Sequence, residues 1–262
     1  MKVGFLQIFN EVAWAPFAID QALKICDKLF ICEGSQFANF KDIPVYSDDG
    51  TVDVIREKMA DNPRSVFLLE NCRRSQNYRT NQCENFNNAI AWCNNGDYLL
   101  PLDADEFYTD EYLEEINSTL LEGRIDALIT STKLFAFSFN WELDFGVQST
   151  KEVAFKVNDR LYFTPTHQPH NIGLNVRHDK QFGMHHYSWM KPKDRMAIRM
   201  RTSGMYPNMQ NWFKANWDKI ELKDGPFATY KGVANLKKFD WPHPSILDNH
   251  PWRNIKDIRR IG

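Results

Sequence analysis

An α/β domain on a mixed, mainly parallel sheet is the fold class this sequence predicts, and three observations carry it. Through the first 130 residues short apolar runs alternate with amphipathic stretches, as β-α units around a parallel sheet require. One of those runs, 98–102, leads directly into the acidic turn Asp103-Ala104-Asp105-Glu106, at the kind of strand end where open parallel sheets collect ligands. From about residue 133 to 163 the periodicity becomes shorter and more aromatic, with turn signals between runs, the pattern of antiparallel strands and loops.

The elements follow in chain order. Residues 3–9 read as a first buried strand. Phe17, Ile19, Ala22, Leu23 and Cys26 then fall at helical spacing over 16–27, and 28–32 gives a second strand, completing a β-α-β unit. A helix over 52–59 and a strand over 65–69 come next. The stretch 77–93 is a helix that would face Ala89, Ile90 and Trp92 inward, and Asn94-Asn95-Gly96-Asp97 stops it. After the strand at 98–102, residues 111–121 form a helix and 126–130 a strand. In the C-terminal part, helices are expected from Asp194 through Arg201 and near 211–220. The tail over 239–251, rich in Pro, His and Trp, reads as an irregular segment packed on the domain. The whole is one unit of 262 residues, within the size of a single core, with no internal repeat and no low-complexity linker.

Composition narrows the function. With 43% hydrophobic and 25% charged residues the chain has the make-up of a folded domain. A net charge of -2 supplies no global field for a polyanion, so nucleic acid is not an expected partner. Aromatics reach 14%, with eight Trp; such side chains suit sugar stacking, but most of them belong to a core. The five cysteines, Cys26, Cys32, Cys72, Cys83 and Cys93, show no CxxC spacing, which points to reduced thiols and a cytoplasmic setting. No leader pattern opens the sequence and no apolar run approaches the ~20 residues of a spanning helix, so no transmembrane segment is expected. Peripheral association with a membrane stays open through exposed aromatics.

An Asp-x-Asp pair at a strand end can hold a hard divalent cation through carboxylate oxygens while the cation bridges phosphates of a ligand. By spacing alone the blander reading is favoured: an acidic strand exit that caps the next helix through Thr109 or Asp110.

Context reverses that balance, because several separate stretches resemble family-two glycosyltransferases of the GT-A fold. Ile8-Phe9-Asn10-Glu11 resembles the strand-end Asn-Glu that opens the nucleotide pocket. Phe30-Ile31-Cys32-Glu33-Gly34-Ser35 resembles the second-strand Asp-x-Gly-Ser motif, with Glu33 in place of the usual Asp. Arg79 and Asn81 precede Gly96-Asp97-Tyr98-Leu99-Leu100-Pro101-Leu102-Asp103-Ala104-Asp105-Glu106, which is similar to the family's run into Leu-Asp-Ala-Asp-Glu. The resemblance covers roughly the first 130 residues.

It implies a GT-A-like three-layer α/β/α sandwich, with 1–130 as the nucleotide-sugar-binding half and 131–262 as an acceptor-binding strand and helix elaboration. The implied activity is metal-dependent, inverting transfer of a monosaccharide from a nucleoside-diphosphate sugar to a hydroxyl of a carbohydrate or glycoconjugate. Asn10, Glu11, Glu33, Ser35, Arg79, Asn81, Asp103, Ala104 and Asp105 would hold the donor, and Asp103 and Asp105 a Mn2+ or Mg2+ ion, with Glu106 supporting the loop. A later ligand is expected from Gly183-Met184-His185-His186-Tyr187-Ser188-Trp189. Adjacent residues on a strand face opposite sides, so one histidine alone would reach the ion; the reading leans to His185, with His186 as the other choice. A structural histidine is at least an equal explanation for either.

Arg195 and Arg199 share a helix face and, with Arg201, form either a phosphate clamp or, the preferred reading, a solvated basic face. His167, His170 and His178 lack the partners of a zinc site. An inverting course needs a carboxylate base; Glu142, Asp144 and Glu152 are the candidates, with Trp141 as a stacking face, although exposed loop acids describe each one as well. Two other functions compete with this reading. A sugar nucleotidyltransferase would carry a Gly-rich phosphate loop near the N-terminus, which Phe9-Asn10-Glu11-Val12-Ala13 is not. A non-catalytic carbohydrate-binding protein would not need an intact acidic pair. No Gly-x-Ser-x-Gly elbow or dinucleotide glycine fingerprint is present.

Overall fold

The computed structural model describes residues 1–37, 40–146, 149–165, 169–202, 209–229 and 232–261. Its first half is regular winding: β1 (Lys2–Ile8), α1 (Ala15–Ile25), β2 (Lys28–Glu33), α2 (Thr51–Asp61), β3 (Val66–Leu69), α3 (Tyr78–Ile90) and β4 (Tyr98–Asp103). The four strands lie in the order β3-β2-β1-β4, all parallel. Side chains alternate along β1, and that alternation separates two cores: Leu6 and Ile8 pack with α1 residues Ala15, Ile19 and Ala22, whereas Val3 and Phe5 pack with Cys83 and Ala89 of α3. Helices on both faces of the sheet give the expected three layers.

Past β4 the chain turns through Ala104 and Asp105 into β5 (Glu106–Tyr108), α4 (Asp110–Glu122) and β6 (Ala127–Ala136). Thr109 caps α4 by accepting from the Tyr112 amide at 3.4 Å, Asp110 and Glu111 occupy its first turn, and Gly123 ends it at φ 67°. β7 (Trp141–Asp144) and β8 (Ser149–Lys156) follow, then the short pair β9 (Tyr162–Phe163) and β10 (Pro169–His170), and the long β11 (Val176–Trp189). β8 enters the sheet antiparallel between β4 and β6. β11 runs parallel to β6 and antiparallel to β5. β6 outruns the five-residue strand expected from sequence because Thr130, Ser131 and Thr132, polar yet buried, sit in a strand hydrogen-bonded on both edges.

The remainder builds a third core. α5 (Lys193–Thr202), α6 (Met209–Asn216) with a 3-10 turn over Trp217–Lys219, β12 (Gly225–Thr229) and β13 (Gly232–Lys238) bring Met196, Met200, Phe213, Trp217 and Leu236 against Phe137, Leu143 and Trp189. β13 pairs with β7 and so extends the sheet. The tail returns to the first core, where His250 lies 4.1 Å, centroid to centroid, from the fully buried Trp14, and Ile258 donates its amide to the Phe137 carbonyl at 2.7 Å. Trp14 also stacks on Tyr187 at 5.1 Å, tying the β1–α1 corner to β11. No helix among the described residues is long and apolar enough to cross a membrane, and the five cysteines form no disulfide.

Side chains close tightly around Gly4 in β1: a Cβ there would lie 2.8 Å from Cys26 Sγ and 3.0 Å from Leu29 Cδ1, so these buried side chains would have to shift. Gly4→Val is therefore expected to cost about 1–3 kcal/mol through overpacking. A lowered urea midpoint with an unchanged m-value checks it; an unchanged midpoint would contradict this packing.

Candidate functional site

A cleft of about 390 Å3 opens at the carboxyl ends of β1 and β4, lined by the β1 exit, Gly34, Gln36 and Phe37 after β2, Tyr78 and Gln82 of α3, the acidic turn, His186, Lys191 and one face of α5. Each wall has a local cause. Asn10 adopts the left-handed conformation (φ 55°), which asparagine tolerates; its amide donates to Ser47 Oγ at 2.8 Å and its Oδ1 accepts from the Asp48 amide at 2.9 Å. This turn presents Glu11 to the cleft. On the other side the Tyr187 amide donates to the Asp105 carbonyl at 2.8 Å, and β11 pairs His186 opposite Glu106. The acidic turn is thus fixed from both strands.

Charges alternate across the site. Lys191 Nζ is ion-paired with Glu11 and lies 3.3 Å from Asp105 Oδ2. Arg199 Nη1 is 3.6 Å from the same oxygen, and His186 Nε2 is 3.5 Å from Asp105 Oδ1. Lys151 bridges Asp103 at 2.6 Å and Glu106 at 2.8 Å. Burial opposes ionisation of Asp105, but Lys191, His186 and Arg199 outweigh it and hold the carboxyl well below the usual range. Asp103 is lowered in the same way, burial being overcome by Lys151. In Glu106 and Glu11 burial prevails over the neighbouring lysine, with Asp103 and Asp105 respectively adding repulsion, and both are raised. The acidic turn keeps ionised carboxylates in a cleft that also carries Arg195 and Arg199 at one helix spacing. Such a mixture suits a ligand that is itself an anion accompanied by a cation.

The residues expected from sequence divide into three groups. Asn10, Glu11, Asp103, Ala104, Asp105 and His186 come together at the cleft. Others support it from behind. Glu33 accepts from the Ser47 amide at 2.7 Å and faces a neighbouring cavity of about 200 Å3 with Asn71 and Arg73. Ser35 is fully buried and accepts from the Phe37 amide at 3.2 Å. Asn81, also fully buried, donates to the carbonyls of Gln36 and Ser75 and accepts from the Ser75 amide; with its amide spent on these bonds, it staples two loops. Arg79 donates to the Tyr78 hydroxyl at 3.2 Å, and Tyr78, not Arg79, lines the cleft.

A last group lies elsewhere. His185 points into an aromatic cluster, 4.9 Å from Phe135 and 5.6 Å from Phe239 between ring centroids, so His186 is the histidine beside the acidic turn and the leaning to His185 is corrected. Glu142 is paired with Lys133 at 3.1 Å and Asp144 with Lys237 at 2.6 Å. Neither these nor Glu152 line the cleft. Arg195 and Arg199, preferred as a solvated face, are cleft residues instead. His167 lies outside the described residues.

Sequence reasoning missed Lys191, Lys151, Gln7, Gln36, Phe37, Tyr78 and Gln82. Two of them carried a signal. Gln7 interrupts an otherwise apolar strand, and Lys191 ends the apolar run Tyr187-Ser188-Trp189-Met190, where a buried ammonium needs a carboxylate partner.

Comparison with known families matches the model described as "Glycosyl transferase family 2" to residues 46–188, more than half of the chain and including the acidic turn and His186. Among solved structures that match is S. aureus TarS 1-349, 12% identical, covering 81% of this chain and 68% of that one with a TM-score of 0.44. Comparison with curated proteins gives no match.

Behind the site, His243 Nε2 is 2.8 Å from the Phe139 carbonyl, so it carries the proton and Nδ1 accepts from the Tyr187 hydroxyl at 2.7 Å. Burial lowers the pKa of His185 to about 3 and those of His243 and His250 to about 4. An unfolded histidine titrates near ~6.5, so these neutral rings contribute stability above that pH and lose it as the pH falls toward the folded values. Unfolding free energy should drop between pH 6.5 and 5 at up to about 1.4 kcal/mol per pH unit for each such histidine. His185→Phe should remove close to one proton's worth of that slope in urea titrations; an unaltered slope would contradict the burial argument.

Proposed function

Because the chain belongs to glycosyl transferase family 2, and is thereby a transferase of glycosyl groups, we propose that it moves a monosaccharide from a nucleoside-diphosphate sugar to a hydroxyl of a carbohydrate or glycoconjugate. The reading includes dependence on Mn2+ or Mg2+ and inversion at the anomeric carbon. One observation carries it: ionised Asp105 and the cations Lys191, Arg195 and Arg199 share one cleft at the carboxyl ends of parallel strands.

The donor set fits a divalent ion. Asp105 Oδ1 and His186 Nε2 offer a carboxylate oxygen and an imidazole nitrogen 3.5 Å apart. Among the described residues no three His, Cys, Asp or Glu side chains are grouped to hold a metal. A hard ion bound by one or two protein groups keeps positions for phosphate oxygens, as Mg2+ sites on phosphate substrates commonly do. When bound, the ion would neutralise charge developing on the diphosphate leaving group.

The chain's own residues have separate tasks. Arg195 and Arg199 reach from α5 to phosphate oxygens. Phe37 and Tyr78, 5.0 Å apart between ring centroids, offer the base a stacking step, and Gln7, Gln36 and Gln82 offer amides around it. Asn10 and Glu11 stand at the ribose side, with Glu33 held behind them. Residues 1–130 then supply most of the donor site, while 131–262 close it through His186, Lys191 and α5 and present the acceptor side. The reading includes a cytoplasmic setting, with the acceptor free or at a membrane surface.

A panel of nucleotide sugars incubated with Mn2+, Mg2+ or EDTA tests the reading. Release of nucleoside diphosphate should occur from one donor class, require the metal, and fall by about 10²-fold or more in Asp105→Asn, equivalent to several kcal/mol of transition-state stabilisation. Once an acceptor is found, NMR of the product should show the inverted anomeric configuration. Turnover that is insensitive to EDTA and to Asp105→Asn would overturn the metal-dependent reading.

A further inference from the structure

Lys191 holds an unusual position in the cleft. It is 5% exposed, and its single ammonium serves two carboxylates from distant parts of the chain, Glu11 at the β1 exit and Asp105 in the acidic turn. The backbone around it is fixed: the Met190 amide donates to the Tyr187 carbonyl at 2.9 Å, and the Pro192 carbonyl accepts from the Met196 amide at 2.9 Å as α5 begins. Only the four-carbon stem is left to move, and Lys191 lines both the donor cleft and a smaller cavity of about 130 Å3 beside it.

An ammonium 3.3 Å from Asp105 Oδ2 stands where it conflicts with a divalent ion on the same carboxylate. A divalent ion on that carboxylate would stand within a few ångströms of the ammonium, and like charges that close repel strongly in a partly dry cleft. The two cations cannot both keep Asp105 at full strength. The stem gives Lys191 an alternative, because Glu11 remains a partner when Asp105 is released, and a bound diphosphate would supply further acceptors beside it.

We propose that Lys191 is a built-in counter-ion of Asp105 that competes with the divalent ion, keeping metal affinity low in the nucleotide-free protein and yielding the carboxylate when a diphosphate draws the ammonium away. This rests on Asp105 being the metal-holding carboxylate. The device couples metal binding to donor binding, so that the ion is held tightly when the group it must neutralise is present.

Mn2+ binding to the whole 262-residue chain without nucleotide, followed by the EPR signal of the free ion, tests the proposal. Lys191→Gln should bind Mn2+ about tenfold or more tightly than the wild type, the size of a typical coupling between sites. The double variant Lys191→Gln with Glu11→Gln keeps the net charge of the cleft and is read alongside, in case the single variant fails to fold; it too should bind Mn2+ more tightly, because Asp105 is freed. Adding Asp105→Asn to either background should abolish the gain. Affinity unchanged or weakened in both lysine variants, with Asp105→Asn still reducing Mn2+ binding, would overturn the proposal and leave the metal site standing. Mn2+ binding that is absent, or indifferent to Asp105→Asn, in every variant would overturn both.

Discussion

The ionised carboxylate of Asp105 is the constraint around which the rest of the cleft is arranged. A buried acid stays charged only where cations and donors replace the water it has lost, and here three different pieces of chain provide them. His186 comes from β11, Lys191 from the turn after it, and Arg199 from α5. All three follow Asp105 by more than eighty positions, so the acidic turn is electrostatically complete only when the C-terminal part has docked. The third core, with Met196, Met200 and Trp217 at its centre, therefore has a consequence beyond packing: it places the basic face of α5 over the carboxyl ends of the parallel strands.

The same dependence runs through the strands. β11 is the link, parallel to β6 along one edge and antiparallel to β5 along the other. Its pairing of His186 with Glu106 puts one histidine at the acidic turn and turns its neighbour His185 toward Phe135 and His243. The aromatic and histidine cluster beneath, reaching through Tyr187 to Trp14, fixes the β1 exit relative to β11. Glu11 and Asp105, carried by adjacent parallel strands β1 and β4, are thereby held close enough for one lysine to reach both.

Much of the N-terminal half could be read from the sequence, for a physical reason. Buried parallel strands are continuous apolar runs and their helices keep a clean 3.6 period, so the elements from β1 to α4 stand within a few residues of their expected places. The acidic turn was legible through its context: by spacing alone a strand exit that caps the next helix explains it as well, and the resemblance of the whole run 96–106 to a family pattern decided between the two. The choice between His185 and His186 was not, since the stretch 183–189 shows no polar and apolar alternation that gives a parity to read. Asn81 and Ser35 resembled ligand contacts but are consumed in loop hydrogen bonds that no local pattern announces. Glu142 and Asp144 illustrate the opposite limit: carboxylates in a plausible stretch whose strand register sends them to Lys133 and Lys237. Polar side chains within apolar runs, Gln7 and Lys191, were the usable signs of the wall that sequence reasoning left out.

The central claim, that the cleft is a metal-assisted diphosphate site organised by Asp105, is tested most directly by calorimetric titration of nucleoside diphosphates into the protein with and without Mn2+. The account predicts that one nucleotide binds, that Mn2+ tightens it by about tenfold or more, and that Asp105→Asn loses the tightening while retaining weaker metal-free binding through Arg195 and Arg199. No binding of any nucleoside diphosphate, or binding to which Mn2+ and Asp105 make no difference, would contradict it.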